Sequence, residues 1–346
     1  MKKLLLVFLL ISFLAIPVSA SEITAPLVPD SGRELMPDQT ESFGDALVQL
    51  INNGLNRLRT DWQKAVEICV QILVIALLSS LMQGLTGQSG KLISAASATA
   101  ILILVFRDTD TLIRLASDTI SEICEYGKLL CPVMTAALAA QGAVTSSAAL
   151  YVGTSMFAVL LNSLISRCFV PMVYAFLGLA AANSALGEEY LKKLADGIKN
   201  LLGWLMKTLL IGFTTYMSIT GVITGTTDAA ALKAAKVTIS TAVPVVGSIL
   251  SDASETVLVS IGLMKNAAGI YGIIAALAVF LGPFMKVGVH YLLLKLSAAL
   301  CSVFAGKNIS GLINDLSAAF GLLMAMLATA CLMVLISTVC FLKGAG

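Results

Sequence analysis

Two carboxylates, Asp252 and Glu255, stand in the otherwise apolar stretch PVVGSILSDASETVL, residues 244–258. Their spacing of three places both on one face of a helix. Because an isolated carboxylate is costly to bury in lipid, these side chains must be hydrated, paired or protonated. The chemistry that such a pair offers inside a membrane is the binding of an ion or of a charged group on a substrate.

Bases in other apolar segments are candidate partners for these carboxylates. Lys286 and His290 are four residues apart and therefore share a helical face, and Lys207 lies in the middle of the apolar stretch 201–225. Two interpretations stay open: the acids line a path for an ion or substrate, or they belong to a hydrated interfacial loop. The alternatives for the bases are that Lys207 reaches back to the membrane surface and that His290 is a buried polar group without a ligand.

The composition is typical of a chain dissolved in lipid. Of its 346 residues, 58% are hydrophobic and only 12% are charged, the latter about half the usual share. The net charge of +2 is too small to indicate nucleic-acid binding. The chain has one His and seven Cys, and the Cys form no CxxC pair, so candidate metal ligands are few. No cofactor is expected. Since no Walker loop, HExxH or GxSxG motif occurs, we do not expect an enzyme.

The N-terminus has the order of a secretory signal peptide. Residues 1–20 combine a basic start, an apolar core and the small-residue site Val18–Ala20, and an uncleaved anchor helix is the alternative. Residues 21–65 are polar, and we expect them outside the cytoplasm. Within them an amphipathic helix, on the membrane surface or on the protein itself, is predicted from the apolar residues Phe43, Leu47, Leu50, Ile51, Leu58 and Trp62.

Long charge-free runs predict an all-α, polytopic membrane protein with about eight transmembrane helices. Two helices are expected within residues 66–128, which also hold a polar loop from Arg107 to Lys128. A first membrane repeat is expected over residues 129–225, a connector over 226–243 and a second membrane repeat over 244–346.

The division into repeats depends on prolines. Pro132 and Pro244 are 112 residues apart, and so are Pro171 and Pro283. Because proline destabilises the interior of a helix, two proline pairs at the same offset are stronger evidence for a repeat than matched leucines. The alternative is that the offsets agree by chance. Pro132 and Pro244 each begin a short, weakly apolar segment broken by Gly or Ser. Two such segments at corresponding places in a tandem or inverted repeat indicate a transporter-like site.

Residues 233–273, KAAKVTISTAVPVVGSILSDASETVLVSIGLMKNAAGIYGI, resemble the signature region of the stage III sporulation protein AE family. The order of signal peptide, acidic segment and polytopic region is similar to that family over essentially the whole mature chain. The residues that match the family motif are Lys233, Lys236, Pro244, Gly247, Asp252 and Thr256.

The resemblance implies a membrane protein of endospore-forming bacteria, located in the mother-cell membrane around the forespore. It also implies a multiprotein assembly, similar to a secretion channel, with other membrane proteins of the same sporulation complex as partners. The family is permease-like without an established substrate, and no catalytic residue is carried over.

Two functions therefore stay open. One is a permease for a small molecule or ion, and the other is a structural platform in the lipid bilayer that docks the other channel proteins. The candidate pathway or motif residues are Pro132, Lys207, Lys233, Lys236, Pro244, Gly247, Asp252, Glu255, Thr256, Lys286 and His290.

Overall fold

The computed structural model describes residues 26–37, 43–86, 90–242 and 247–343, and for residues 59–61, 86, 90, 91 and 221–265 it describes the backbone alone. The helices in these ranges are α1 (Asp30–Arg33), α2 (Phe43–Thr86), α3 (Gly90–Ala140), α4 (Val144–Leu164), α5 (Val170–Leu186), α6 (Glu189–Ala242), α7 (Gly247–Phe304) and α8 (Lys307–Lys343), with a π-helical turn at Ile165–Phe169. The predicted signal peptide lies outside the described residues.

Every regular element in the described ranges is a helix, so the predicted all-α class is confirmed. Five helical segments are long and apolar enough to cross a membrane: Trp62–Leu85, Leu92–Ala140, Val144–Leu186, Asn266–Phe304 and Lys307–Lys343. These segments make the chain a multi-pass membrane protein. Spans that the prolines divide in the sequence join into continuous helical segments at Pro171 and at Pro283.

The prolines are accommodated within helices. Pro132 lies inside α3 and Pro283 inside α7, while Pro171 follows the π-helical turn at the start of α5. A proline removes one backbone hydrogen bond but need not end a helix whose neighbouring turns are held by other contacts. The predicted short segment broken at Pro132 is instead the last part of α3, and the chain turns only at Gly142, where φ is 93°. Pro244 lies outside the described residues.

The predicted polar loop between Arg107 and Lys128 is also helical, since it forms the middle of α3. Its charges stabilise helix rather than loop: Arg114 Nε donates a 2.9 Å hydrogen bond to Asp110 Oδ2 one turn before it. The polar stretch is therefore part of one long helix rather than a loop.

Helix α8 occupies the centre of the bundle. It contacts α3, α4, α5, α6 and α7, and it is the most buried of the five candidate spans. Leu312, Phe320 and Leu327 are among the side chains that it buries almost completely. The axis of the bundle is consequently filled with apolar side chains.

Two helical hairpins, α5–α6 and α7–α8, turn at the same end of the bundle. Gly187 ends α5 with a φ of 73°, a conformation that favours glycine. Ser184 Oγ donates a 3.0 Å hydrogen bond to the carbonyl oxygen of Asn308, which ties the two turns together. At the same end Ser80 Oγ donates a 2.6 Å hydrogen bond to the carbonyl oxygen of Phe304, so α2 is joined to them.

The amphipathic helix begins at Phe43 as predicted, but it continues into the first span, and the predicted apolar face is buried only in part. Phe43, Ile51 and Trp62 are exposed, whereas Ala46 and Leu50 are buried against α7. Small residues let the two helices approach closely. Ala46 and Leu50 therefore mark the contact with α7.

Candidate functional site

Ionisable side chains from three helices line a groove between α2, α3 and α7. We call it the polar groove and define it by Arg57, Lys64, Asp108, Lys286 and His290. It holds two cavities of about 180 and 170 Å³. Lys286 lines both cavities, so they lie next to each other along α7.

Helix α7 supplies two of the predicted site residues and holds them one turn apart. The Nδ1 atom of His290 lies 2.9 Å from the carbonyl oxygen of Lys286. A carbonyl can only accept, so Nδ1–H is the donor. The His290 ring also lies beside Phe320, with 6.0 Å between ring centroids. The structure thus brings Lys286 and His290 together in a fixed orientation.

The 170 Å³ cavity combines these two residues with side chains from α2 and α3. Lys64 and Asp108 contribute opposite charges, and Ile68 and Leu112 contribute an apolar wall. Across the described residues neither Lys64 nor Asp108 forms an ion pair. Their charges are therefore available to a solute that enters the cavity.

The 180 Å³ cavity lies on the other side of Lys286, under the N-terminal segment of residues 26–37. Leu35 of this segment is only 2% exposed and lines the cavity together with Pro283. Ser31 donates a hydrogen bond to Glu122 of α3, and Glu34 pairs with Arg57 of α2. The segment therefore closes one end of the groove by contacts to all three of its helices.

Helix α3 is held on the side opposite the groove. Asp110 stands two residues after Asp108, about 200° around the helix. Its carboxylate accepts a 2.6 Å hydrogen bond from the hydroxyl of Tyr174 in α5. Farther along, Ser121 Oγ donates a 2.9 Å hydrogen bond to Oδ1 of Asn162 in α4. These bonds fix the rotation of α3 and so aim Asp108 at the groove.

The other predicted site residues lie elsewhere. Pro132 is exposed on α3 and Lys207 is exposed on α6, and neither lines the polar groove. Gly247 is the first residue of α7. Pro244 and the side chains of Lys233, Lys236, Asp252, Glu255 and Thr256 lie outside what the structure describes.

Sequence reasoning missed Arg57, Lys64 and Asp108 as site residues. Lys64 could have been found as a base just inside the apolar segment that follows Trp62. Its meeting with Lys286, more than 200 positions later, depends on the docking of α2 onto α7.

The polar groove can hold a hydrated ion or a small polar solute. It offers ammonium donors, a carboxylate acceptor and an imidazole nitrogen in one place. Within the part of the chain that the structure describes, no three His, Cys, Asp or Glu side chains are arranged to hold a metal ion.

Long apolar helices around a polar groove define the class: a multi-pass helical membrane protein with ionisable groups set between its spans. The model of the stage III sporulation protein AE family matches residues 33–345, and the chain belongs to this family. Over 317 residues the chain is 23% identical to stage III sporulation protein AE of Bacillus subtilis (strain 168). The aligned region covers 86% of this chain and 79% of that protein. No solved structure matches.

Proposed function

We propose that this protein is a permease-like membrane component of the sporulation channel complex that links mother cell and forespore. In this proposal the polar groove holds the small molecule or ion that the protein helps to move. The observation that carries it is the meeting of Lys64, Asp108 and Lys286 from three helices around a cavity. Ionisable groups within spans are rare and typically face a path or a water-filled cavity.

The depth of the groove supports a role in transport. Lys286 lies inside the long apolar helix α7, 18 residues before its last residue, Phe304. At a rise of about 1.5 Å per residue, its backbone is roughly 27 Å from that end of the helix. A cation at that position needs water, a counter-charge or a solute around it.

Family membership supports the setting of this function. We place the protein in the mother-cell membrane, with other membrane proteins of the same sporulation complex as partners, and we assign it no enzymatic step. Energy for movement would then come from a partner.

A structural platform is the second candidate, and one observation favours it. The apolar helix α8 fills the axis of the bundle, and the polar groove lies to one side of it. Such a bundle is suited to present a rigid surface on which the other channel proteins dock.

Replacement of Lys286 by Ala in an endospore-forming host separates the two functions. The permease function predicts that spore yield falls while the partner proteins still co-purify with the variant. Loss of co-purification together with spore yield would support the platform instead. Unchanged spore yield would show that Lys286 and the polar groove are not required for spore formation.

The matched control is Lys207→Ala. Lys207 is a lysine in a long helix like Lys286, but it is exposed and lines neither cavity of the groove. The control should support normal spore yield, so that an effect of Lys286→Ala is assigned to the groove rather than to the loss of one positive charge.

A further inference from the structure

The exposed surface of α2 changes its chemistry along the helix. Up to Glu67 it is mixed, and polar side chains such as Asn52 and Asn56 are exposed. Within residues 72–85 every exposed side chain is apolar: Val74, Leu77, Leu78, Leu81, Met82 and Leu85. From Ile68 to Leu85 the helix rises by about 26 Å, close to the roughly 30 Å of a hydrocarbon core. This part of α2 therefore has both the length and the surface of a membrane span.

Helix α3 shows the same change of surface. The segment Leu92–Phe106 contains no charged residue, whereas Arg107 and Arg114 follow it as exposed side chains. The changes on the two helices lie at one level, because Ile68 of α2 and Asp108 of α3 line the same 170 Å³ cavity. Exposed charges are costly in lipid and stable in water. The common level on α2 and α3 is therefore where we expect lipid to meet water.

Side chains that are typical of a membrane surface lie at this level. Trp62 of α2 is 48% exposed, and Arg107 of α3 is exposed. On α6, Trp204 is 59% exposed, and Lys207 is exposed one turn later. Trp62 and Trp204 are the two tryptophans of the chain. Tryptophan is enriched where lipid headgroups meet the hydrocarbon core, and long cationic side chains reach the headgroups from there.

Positions along the helices place Lys207 of α6 at the level of the groove. Lys207 follows the first residue of α6 by 18 positions, and Lys286 precedes the last residue of α7 by 18. Both are thus about 27 Å from the two hairpin turns, which lie at the same end of the bundle. Beyond this level Met156 of α4 and Ile211 of α6 are exposed, so the boundary itself is drawn from α2 and α3.

We infer that Trp62, Arg107, Trp204 and Lys207 contact the lipid headgroups of one leaflet, and we call these four residues the headgroup belt. The bilayer then surrounds the part of the bundle between the headgroup belt and the hairpin turns. Residues 26–37, the start of α2 and the charged part of α3 stand in water beyond it, and the polar groove opens at this membrane surface. The inference concerns the lipid surface and does not depend on whether the groove binds a solute.

Tryptophan fluorescence of the full chain in lipid nanodiscs tests this inference. In Trp204→Phe, Trp62 is the only tryptophan, so its depth is read without a change at the position itself. The lipid quenchers are phosphatidylcholines that carry a nitroxide either next to the headgroup or near the end of an acyl chain. Acrylamide serves as the quencher from water.

Two other positions on α2 provide matched comparisons. Leu55 is 51% exposed and Val74 is 50% exposed, against 48% for Trp62. They lie about 10 Å before and about 18 Å after Trp62 along the helix. Leu55→Trp and Val74→Trp are each made in a chain whose two native tryptophans are replaced by Phe. The three tryptophans then differ in their level along the helix and not in their exposure.

We expect Trp62 to lose more fluorescence to the nitroxide next to the headgroup than to the deep nitroxide. Val74→Trp should show the reverse order, and Leu55→Trp should be quenched by acrylamide and by neither lipid. If the deep nitroxide quenches Trp62 more strongly, the headgroup belt lies inside the bilayer and the inference is wrong. It is also wrong if neither lipid quenches Trp62. Because Trp204→Phe is a conservative change at an exposed site, the result for Trp62 decides the matter even where an introduced tryptophan disturbs the fold.

Discussion

The hydroxyl of Tyr174 donates a 2.6 Å hydrogen bond to Oδ1 of Asp110, which joins the start of α5 to the polar middle of α3. The same carboxylate accepts a hydrogen bond from Arg114 through Oδ2. Asp110 therefore connects two helices, and the rotation of α3 that points Asp108 into the groove depends in part on it.

Tyr174→Phe removes this hydrogen bond and keeps the aromatic ring. We expect the apparent midpoint of thermal unfolding of the detergent-solubilised protein to fall by a few degrees, because the carboxylate loses a donor that holds two helices together. Tyr190→Phe is the control, since Tyr190 is 58% exposed. Equal midpoints for the two variants would show that the bond does not stabilise the fold.

Gly153→Ala tests the close approach of α4 and α6. A Cβ atom at Gly153 would collide with the ring of Tyr216, whose hydroxyl donates a 3.2 Å hydrogen bond to the carbonyl oxygen of Ala149. The added methyl group must displace the ring, and we expect a loss of about 1–3 kcal/mol in the free energy of unfolding. The measurement is again thermal unfolding in detergent.

Gly178→Ala is the matched control for that substitution. Nothing lies within 4 Å of a Cβ atom at Gly178, and Ala favours helix over Gly by about 1 kcal/mol. The control should thus be neutral or slightly stabilising. A Gly153→Ala protein as stable as the control would contradict the close contact.

Leu35→Ala should release the N-terminal segment from the groove. Leu35 is 2% exposed and packs in a cluster with Leu50 and Ile274, so its truncation should cost about 2–5 kcal/mol of local stability. Hydrogen exchange of residues 28–37 should become faster, while that of α8 stays unchanged. The control is Leu27→Ala, because the Leu27 side chain is 80% exposed. Hydrogen exchange of residues 28–37 should stay unchanged in this control. Equally fast exchange in both variants would indicate that Leu35 has no special role.

Thr111→Cys tests whether water enters the polar groove. Thr111 lines the 170 Å³ cavity, so a membrane-impermeant thiol reagent should modify this cysteine in a background without the native ones, because a thiolate forms only in contact with water. Labelling is read by mass shift on intact cells or vesicles.

Ile103→Cys provides the comparison on the same helix. Ile103 is 73% exposed on the apolar part of α3, where we expect it to contact lipid. This cysteine should stay unmodified. Labelling of both positions, or of Ile103→Cys alone, would argue against an aqueous groove enclosed by lipid-facing helices.

The sequence predicted helix well but its boundaries poorly. Apolar length alone indicates spans, and the start of α2 at Phe43 followed from spacing. The helix boundaries predicted from the prolines were wrong, because Pro132 and Pro283 lie inside continuous helices. A proline's local cost is visible in sequence, whereas the neighbouring contacts that outweigh it are not.

The candidate site was predictable only in part. Lys286 and His290 were identified together because four residues make one helical turn. Lys64 and Asp108 were not, because no periodicity relates residues on different helices.

The amino-acid sequence by itself determined an all-α membrane protein of one sporulation family, since apolar length and motif order are properties of the chain alone. Only the tertiary structure decided that Lys64, Asp108 and Lys286 share a cavity. The physical reason is that α2 docks closely on α7 through Ala46, Leu50 and Gly54, and a Cβ atom at Gly54 would lie 3.0 Å from Leu281. Such a fit depends on the surfaces of both helices at once, and the residues that form these surfaces are far apart in the chain.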